Sequence, residues 1–161
     1  MTLQKLWQQI LNDATEQDQQ ALLHLLTGIR EKQQGSHNRY INATLRMTGE
    51  FFQDTSIVRM PNSPVIQNSI QVAHGGMLAT IADAAMGGLA SRAAEVGKNV
   101  VTTNLTINYI ATSQCQEIIA KGYFVHRGRR TFVMSCTIED DQGKLLATAT
   151  ATFFVIQKRT V

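Results

Sequence analysis

Residues 77–97 read MLATIADAAMGGLASRAAEVG, and this stretch decides the fold. It contains no proline, and apolar or small residues occupy nearly every side of the predicted helix until Ser91. A helix without a polar face is a buried helix. About twenty residues at 1.5 Å each span roughly 30 Å, enough to run through the middle of a small domain. Gly97 supplies a stop at its C-terminal end.

The residues after this helix predict a series of strands. Residues 100–110, 117–127, 131–140 and 144–157 are rich in β-branched residues or alternate with period two. The short joins at 128–130 and 141–143 predict hairpins, and therefore antiparallel pairing. Residues 40–60 also alternate and predict one or two further strands. The expected fold is α+β: an antiparallel sheet of five to six strands wrapped around one long buried helix.

The N-terminal region has a different pattern. Residues 2–33 show helical spacing in two sets, and Asp13 or Thr15 could begin the second helix. The turn-forming residues 35–38 close this region. Two amphipathic helices of this length cannot form a domain alone. We therefore expect one domain over residues 1–161, with residues 1–37 as a helical extension packed on it.

Composition narrows the class of partners. The net charge of +3 over 161 residues is only mildly basic, and no nucleic-acid-binding motif is present, so we expect no nucleic-acid partner. Cys115 and Cys136 have no metal-ligand spacing, which favours reduced structural thiols and no metal. No apolar run is long enough to cross a bilayer, and we expect a cytoplasmic protein without membrane contact.

Asp83 is the only acidic residue between Asp54 and Glu95, and it lies on the apolar helix. Burying a carboxylate is unfavourable unless something compensates it. Asp83 is therefore either a functional residue or a structural residue that bonds to a neighbour or to a partner subunit. Its position alone does not decide between these two roles.

His74, Gly75 and Gly76 stand where this helix begins. The first turn of a helix has unpaired N–H groups and the positive end of the dipole, which suits a carbonyl oxygen that gains negative charge. The simpler interpretation is a glycine-rich helix entry with a surface histidine. Asp83 follows His74 by nine positions, roughly 13 Å along the axis, so one helix cannot bring the two together. If both act on one substrate, a second copy of the chain must contribute its Asp83.

The sequence resembles the phenylacetate-pathway thioesterase family of hot-dog proteins over roughly residues 40–157. The resemblance is carried by His-Gly-Gly, six intervening residues, Asp and then four predicted strands. The resemblance implies hydrolysis of acyl-CoA thioesters. Coenzyme A would enter only as part of the substrate, with no other cofactor. It also implies a homo-oligomer, either a dimer or a dimer of dimers.

The resemblance also implies roles for individual residues. Asn68, six positions before His74, and the Gly75 N–H would hold the thioester carbonyl. Asp83 would activate water or attack the carbonyl directly. Thr102 would orient that water, with Thr103 close enough to leave the choice between them open.

A basic turn resembles the family's hairpin that meets the nucleotide end of coenzyme A; it comprises Arg127, Gly128, Arg129 and Arg130. A solvated hairpin is the simpler interpretation of each arginine. The chain departs from many relatives in lacking a proline shortly after Tyr109.

A different class of function fits the same fold: a non-catalytic module that binds acyl-CoA as a sensor or partner. The joint presence of Asp83 and Asn68 favours the enzyme, since a binder has no need of both. A hot-dog dehydratase would need a suitably placed histidine, and we see none. The sequence leaves aryl, medium-chain and long-chain acyl groups open.

Overall fold

The structure is a computed structural model that describes residues 1–158. Its helices are α1 (Leu3–Asp13), α2 (Glu16–Gln33), α3 (Tyr40–Thr44), a 3-10 turn (Pro64–Ile66) and α4 (Gly75–Ala93). Its strands are β1 (Thr48–Phe51), β2 (Thr55–Pro61), β3 (Lys98–Tyr109), β4 (Glu117–Arg127), β5 (Thr131–Asp140) and β6 (Leu145–Gln157). They form one antiparallel sheet in the order β1-β2-β4-β5-β6-β3. The predicted α+β architecture is confirmed, with six strands.

Helix α4 packs lengthwise on this sheet, as the apolar segment predicted. Its sheet-facing residues are buried: Leu78, Ile81, Ala82, Ala85, Met86, Leu89 and Ala90. The helix is not buried on all sides, however, because the sheet covers only one face. The opposite face, which includes Thr80, Asp83, Ala84 and Gly87, is half-buried in the single chain. The helix ends at Ala93, and Gly97 adopts a φ of +84° in the turn to β3 instead of capping the helix.

The two N-terminal helices form as expected. Thr15 caps α2 in a capping box with Asp18, which explains why the break falls there. Helix α2 packs against α3 at Gly28, where a Cβ would collide with the carbonyl oxygen of Ala43. Helix α1 has no buried residue. No helix in the described part of the chain is both long and apolar enough to cross a membrane.

The strand predicted from Tyr40 onward is wrong at its beginning. Residues Tyr40–Thr44 form α3, and the first strand starts only at Thr48. Ala43, Leu45 and Met47 are buried alternately, as a strand would bury them. A single helical turn followed by a tight turn produces the same burial over so short a stretch, and Arg46 has a φ of 49° there. Bonds from Arg46 and His37 to Glu31 on α2 hold this turn in place.

Candidate active site

The side chains of Asp83 and Thr102 are in direct contact. Asp83 lies in the middle of α4, and the Thr102 hydroxyl on β3 donates a hydrogen bond of 2.8 Å to its Oδ1. Oδ2 has no hydrogen-bond partner among residues 1–158, and none of the basic side chains described there forms a salt bridge with this carboxylate. One oxygen is therefore fixed by Thr102 while the other is free to bind a proton or a water molecule.

A bulge in β3 separates the two candidate threonines. Thr102 pairs with Phe153 and Asn104 pairs with Thr152, so Thr103 is the additional residue. The Thr103 hydroxyl donates to the carbonyl of Thr152 within the sheet. Only Thr102 reaches Asp83, and the bulge explains how neighbouring threonines acquire such different partners.

His74 caps the N-terminus of α4. Its Nδ1 accepts a hydrogen bond of 3.0 Å from the N–H of Gly76, so the neutral ring in this geometry carries its proton on Nε2. The N–H of Gly76 is thereby used, and the His74 ring also lies against its Cα, since a Cβ there would be 3.2 Å from Nδ1. The N–H of Gly75, in contrast, has no acceptor among the described residues. Gly75 thus supplies the free donor of the first helical turn.

Asn68 is oriented by the loop that follows it. Its Oδ1 accepts hydrogen bonds from the N–H groups of Ile70 (3.1 Å) and Val72 (3.4 Å). Since Oδ1 is the atom that faces these donors, the side-chain N–H₂ group is the one left over, and it has no partner within residues 1–158. Asn68 and Gly75 line one pocket of about 190 Å³. Two unsatisfied N–H donors therefore lie at the same small pocket.

Tyr109 belongs to this site, although its contact was not predicted from the sequence. Its hydroxyl donates a hydrogen bond of 2.9 Å to the carbonyl of Gly75, and it lines the same pocket as Asn68. A Cβ at Gly75 would lie 3.0 Å from the tyrosine ring, so the close approach requires glycine. The contact could have been predicted from the topology, because β3 runs back along α4. If Thr102 contacts Asp83, a later residue of β3 contacts the start of the helix.

The single chain does not bring all predicted residues together. Asp83 and Thr102 line a second pocket, of about 520 Å³, and no residue lines both this pocket and that of Asn68 and Gly75. The carboxylate in the middle of α4 and the N–H donors around its N-terminus are thus two separate half-sites.

The basic turn lies at the far end of α4. Arg127 donates through Nη2 to the carbonyl of Ala93 (3.3 Å), in the last turn of that helix. The pKa of Glu95 nearby is held below its usual range by a hydrogen bond to Lys98, with a contribution from the charge of Arg129. The turn predicted at residues 128–130 is confirmed as the β4–β5 connection. It places positive charge at the end of α4 opposite to His74.

The cysteines offer no competing nucleophile. Burial raises the pKa of Cys136 to about 12, and it also raises the pKa of Cys115, so both thiols stay protonated at neutral pH. Within residues 1–158, no group of histidine, cysteine and acidic side chains is arranged to hold a metal ion. Among residues 1–158, Asp83 is the only acidic residue that lines either of these two pockets on α4, and its Oδ2 has no partner there.

The chain is similar to known proteins in part of its sequence and in its fold. The family model described as the thioesterase superfamily matches residues 70–147, which include His74, Gly75, Asp83 and Thr102. The structure is similar to that of the BH2602 protein from Bacillus halodurans solved with CoA, with a TM-score of 0.87 and 28% identity over 96% of this chain and 100% of that chain. It is also similar to thioesterase HI1161 from Haemophilus influenzae, with a TM-score of 0.72 and 22% identity over 80% and 90% of the two chains.

No match was found among curated proteins. The fold is the hot-dog fold shared with thioesterases. The match to the thioesterase superfamily model covers α4 and strands β3 to β5, a little less than half of the chain.

Proposed function

We propose that this protein hydrolyses acyl-CoA thioesters to a free acid and coenzyme A. The observation that carries the proposal is the Asp83 carboxylate, fixed on one oxygen by Thr102 and free on the other, at the wall of a pocket of about 520 Å³. Pockets of this size are typical of small-molecule sites. The similarity to a protein solved with CoA supports this class of ligand.

The proposed reaction uses Asp83 as a general base. Its Oδ2 takes a proton from water while the water oxygen attacks the thioester carbonyl carbon. The Thr102 hydroxyl, which donates to Oδ1, keeps a lone pair that can accept the other proton of that water. The negative charge that develops on the carbonyl oxygen is met by the N–H of Gly75 and the side-chain amide of Asn68. The carbon–sulfur bond then breaks, and the thiolate leaves with the proton from Asp83.

The separation of the two half-sites within one chain favours a second subunit at each site. Because Asp83 and the donors line different pockets in one chain, we propose that each active site combines Asn68 and Gly75 of one subunit with Asp83 of another. His74 then acts as a positioning residue that fixes the first turn of α4. The proposal includes this homo-oligomer and membership of a subfamily like that of the phenylacetate pathway. It also includes a cytoplasmic location and contact between the 127–130 turn and the nucleotide of coenzyme A.

The test is the release of free thiol from a panel of acyl-CoA thioesters that covers aryl, medium-chain and long-chain groups. We expect thiol and acid in equal amounts, with a clear preference for one class of acyl group. Binding of acyl-CoA without hydrolysis of any member would replace the enzyme by the acyl-CoA sensor.

Tyr109→Phe should lower kcat by roughly tenfold. The substitution removes the hydrogen bond that holds the first turn of α4, but it leaves the Gly75 N–H, the proposed donor to the oxyanion, in place. KM should change little, because the hydroxyl is bonded to Gly75 and not needed by the bound acyl group. Steady-state kinetics check the prediction, with Tyr123→Phe on β4 as the matched control. A rise in KM at constant kcat would show that the hydroxyl binds substrate instead.

A further inference from the structure

The pocket beside Asp83 has an unusual distribution of charge. Asp83 is its only acidic lining residue among those described, whereas Arg39 and Arg92 both line it. Neither arginine has a carboxylate partner within residues 1–158. Arg39 comes from the segment just before α3, and Arg92 from the last turn of α4. The pocket thus holds the proposed base together with two guanidinium groups that have no carboxylate partner among the described residues.

The arginine on α4 is held in place. The Arg92 guanidinium lies over the ring of Phe51, 3.6 Å from its centroid, and donates to the carbonyl of Gly88 at 3.1 Å. Gly88 is five residues beyond Asp83, which corresponds to about 7.5 Å along the helix axis. A guanidinium group fixed by a ring and a carbonyl keeps further N–H donors for an anionic partner.

Apolar residues line the same pocket beside these charged groups, and they suit a short hydrocarbon chain. The lining includes the apolar side chains of Met47, Val100 and Phe153 and the backbone of Gly87. The segment directly after the N-terminal extension also lines the pocket, through Asn38, Arg39, Ile41 and Asn42. A plain fatty chain in this pocket would offer no hydrogen-bond partner to the polar residues that line it, which include Asn38, Arg39, Asn42 and Arg92.

We propose that the preferred substrates carry a carboxylate at the far end of a short acyl chain, which Arg39 and Arg92 bind while Asp83 acts on the thioester. The inference rests on the proposed hydrolysis. It adds a substrate class, the CoA monothioesters of dicarboxylic acids. A phosphate group of coenzyme A has the same anionic chemistry, and the basic turn at Arg127 approaches the same end of α4. The experiment must therefore separate these two sources of negative charge.

Adipoyl-CoA and hexanoyl-CoA form a matched pair, because both have six carbons and identical CoA, and only adipoyl carries the terminal carboxylate. We expect kcat/KM to be at least about tenfold higher for adipoyl-CoA. Arg39→Gln and Arg92→Gln should each lower this ratio several-fold, and the double variant should bring it close to one. Arg30→Gln is the matched control, because Arg30 is exposed on α2, bonds to Gln33 and lines none of these pockets.

Two results would overturn the inference. Equal or better hydrolysis of hexanoyl-CoA by the wild-type protein would show that no terminal carboxylate is recognised. An equal loss for both substrates in the arginine variants would assign the two guanidinium groups to the phosphates of coenzyme A.

Binding separates this inference from the proposed hydrolysis. Isothermal titration of the Asp83→Asn protein with both intact thioesters measures recognition without turnover. Tighter binding of adipoyl-CoA would support the substrate class even if no thioester were hydrolysed, and equal binding would refute it even if hydrolysis were observed.

Discussion

Asp83→Asn is expected to lower kcat for acyl-CoA hydrolysis by at least about a thousandfold, while the protein stays folded. The substitution keeps the size of the side chain, and the asparagine Oδ1 can still accept the hydrogen bond from Thr102. What it removes is the second carboxylate oxygen, which has no protein partner in the described structure and is the atom available to take a proton from water. The measurement is thiol release under saturating substrate, together with circular dichroism of the purified variant.

A matched control uses the same chemical change elsewhere. Asp54→Asn lies on the exposed turn between β1 and β2 and should leave both kcat and KM unchanged. If the Asp83→Asn protein hydrolysed thioesters at the wild-type rate, Asp83 would be a structural residue that bonds to Thr102 and nothing more. Unchanged acyl-CoA affinity with lost turnover would instead confirm that the carboxylate acts on the reaction and not on binding.

The long elements of this fold could be predicted because their patterns are long. Helix α4 and the four strands after it each repeat their signal over ten residues or more, so local irregularities do not hide it. The five residues of α3 could not be distinguished from a strand. One helical turn packed on α2 buries Ala43, and Leu45 and Met47 after it are buried too, which gives the alternate burial of a strand. The role of α3 as a wall of the pocket depends on that docking and was not visible in the sequence.

The site was predictable to the extent that its residues are local to one element. His74 and Asp83 could be placed on α4 from the sequence, and their separation along the helix led to the prediction of a site shared by two subunits. Thr102 could not be separated from Thr103, because a one-residue bulge changes which of the two faces α4. Tyr109 was missed because its contact joins the end of β3 to the beginning of α4, 34 residues earlier in the chain.

The proposal that two subunits share each site leads to a second strong prediction, which needs two inactive proteins. Asn68→Asp retains the oxygen that accepts from Ile70 and Val72, but replaces the free amide donor by a negative charge. We expect it to lose at least about a hundredfold in kcat, since a donor to the developing oxyanion becomes a repulsive group. Alone, the Asn68→Asp and Asp83→Asn proteins should both be nearly inactive.

Mixed with each other, unfolded and refolded together, the two variants should regain activity. In a symmetric dimer, half of the molecules would pair one variant with the other, and each such pair would contain one site with both Asn68 and Asp83 intact and one site with neither. The mixture should therefore reach about a quarter of wild-type activity, because one site in four is complete. If each site were built within one chain, the mixture would regain no activity. Every site would then lack either the Asn68 amide or the Asp83 carboxylate, whatever the pairing. No recovery in a mixture shown to contain heterodimers would place Asn68, Gly75 and Asp83 in the same subunit's site, and the separate pockets of the single chain would then have to merge when substrate binds.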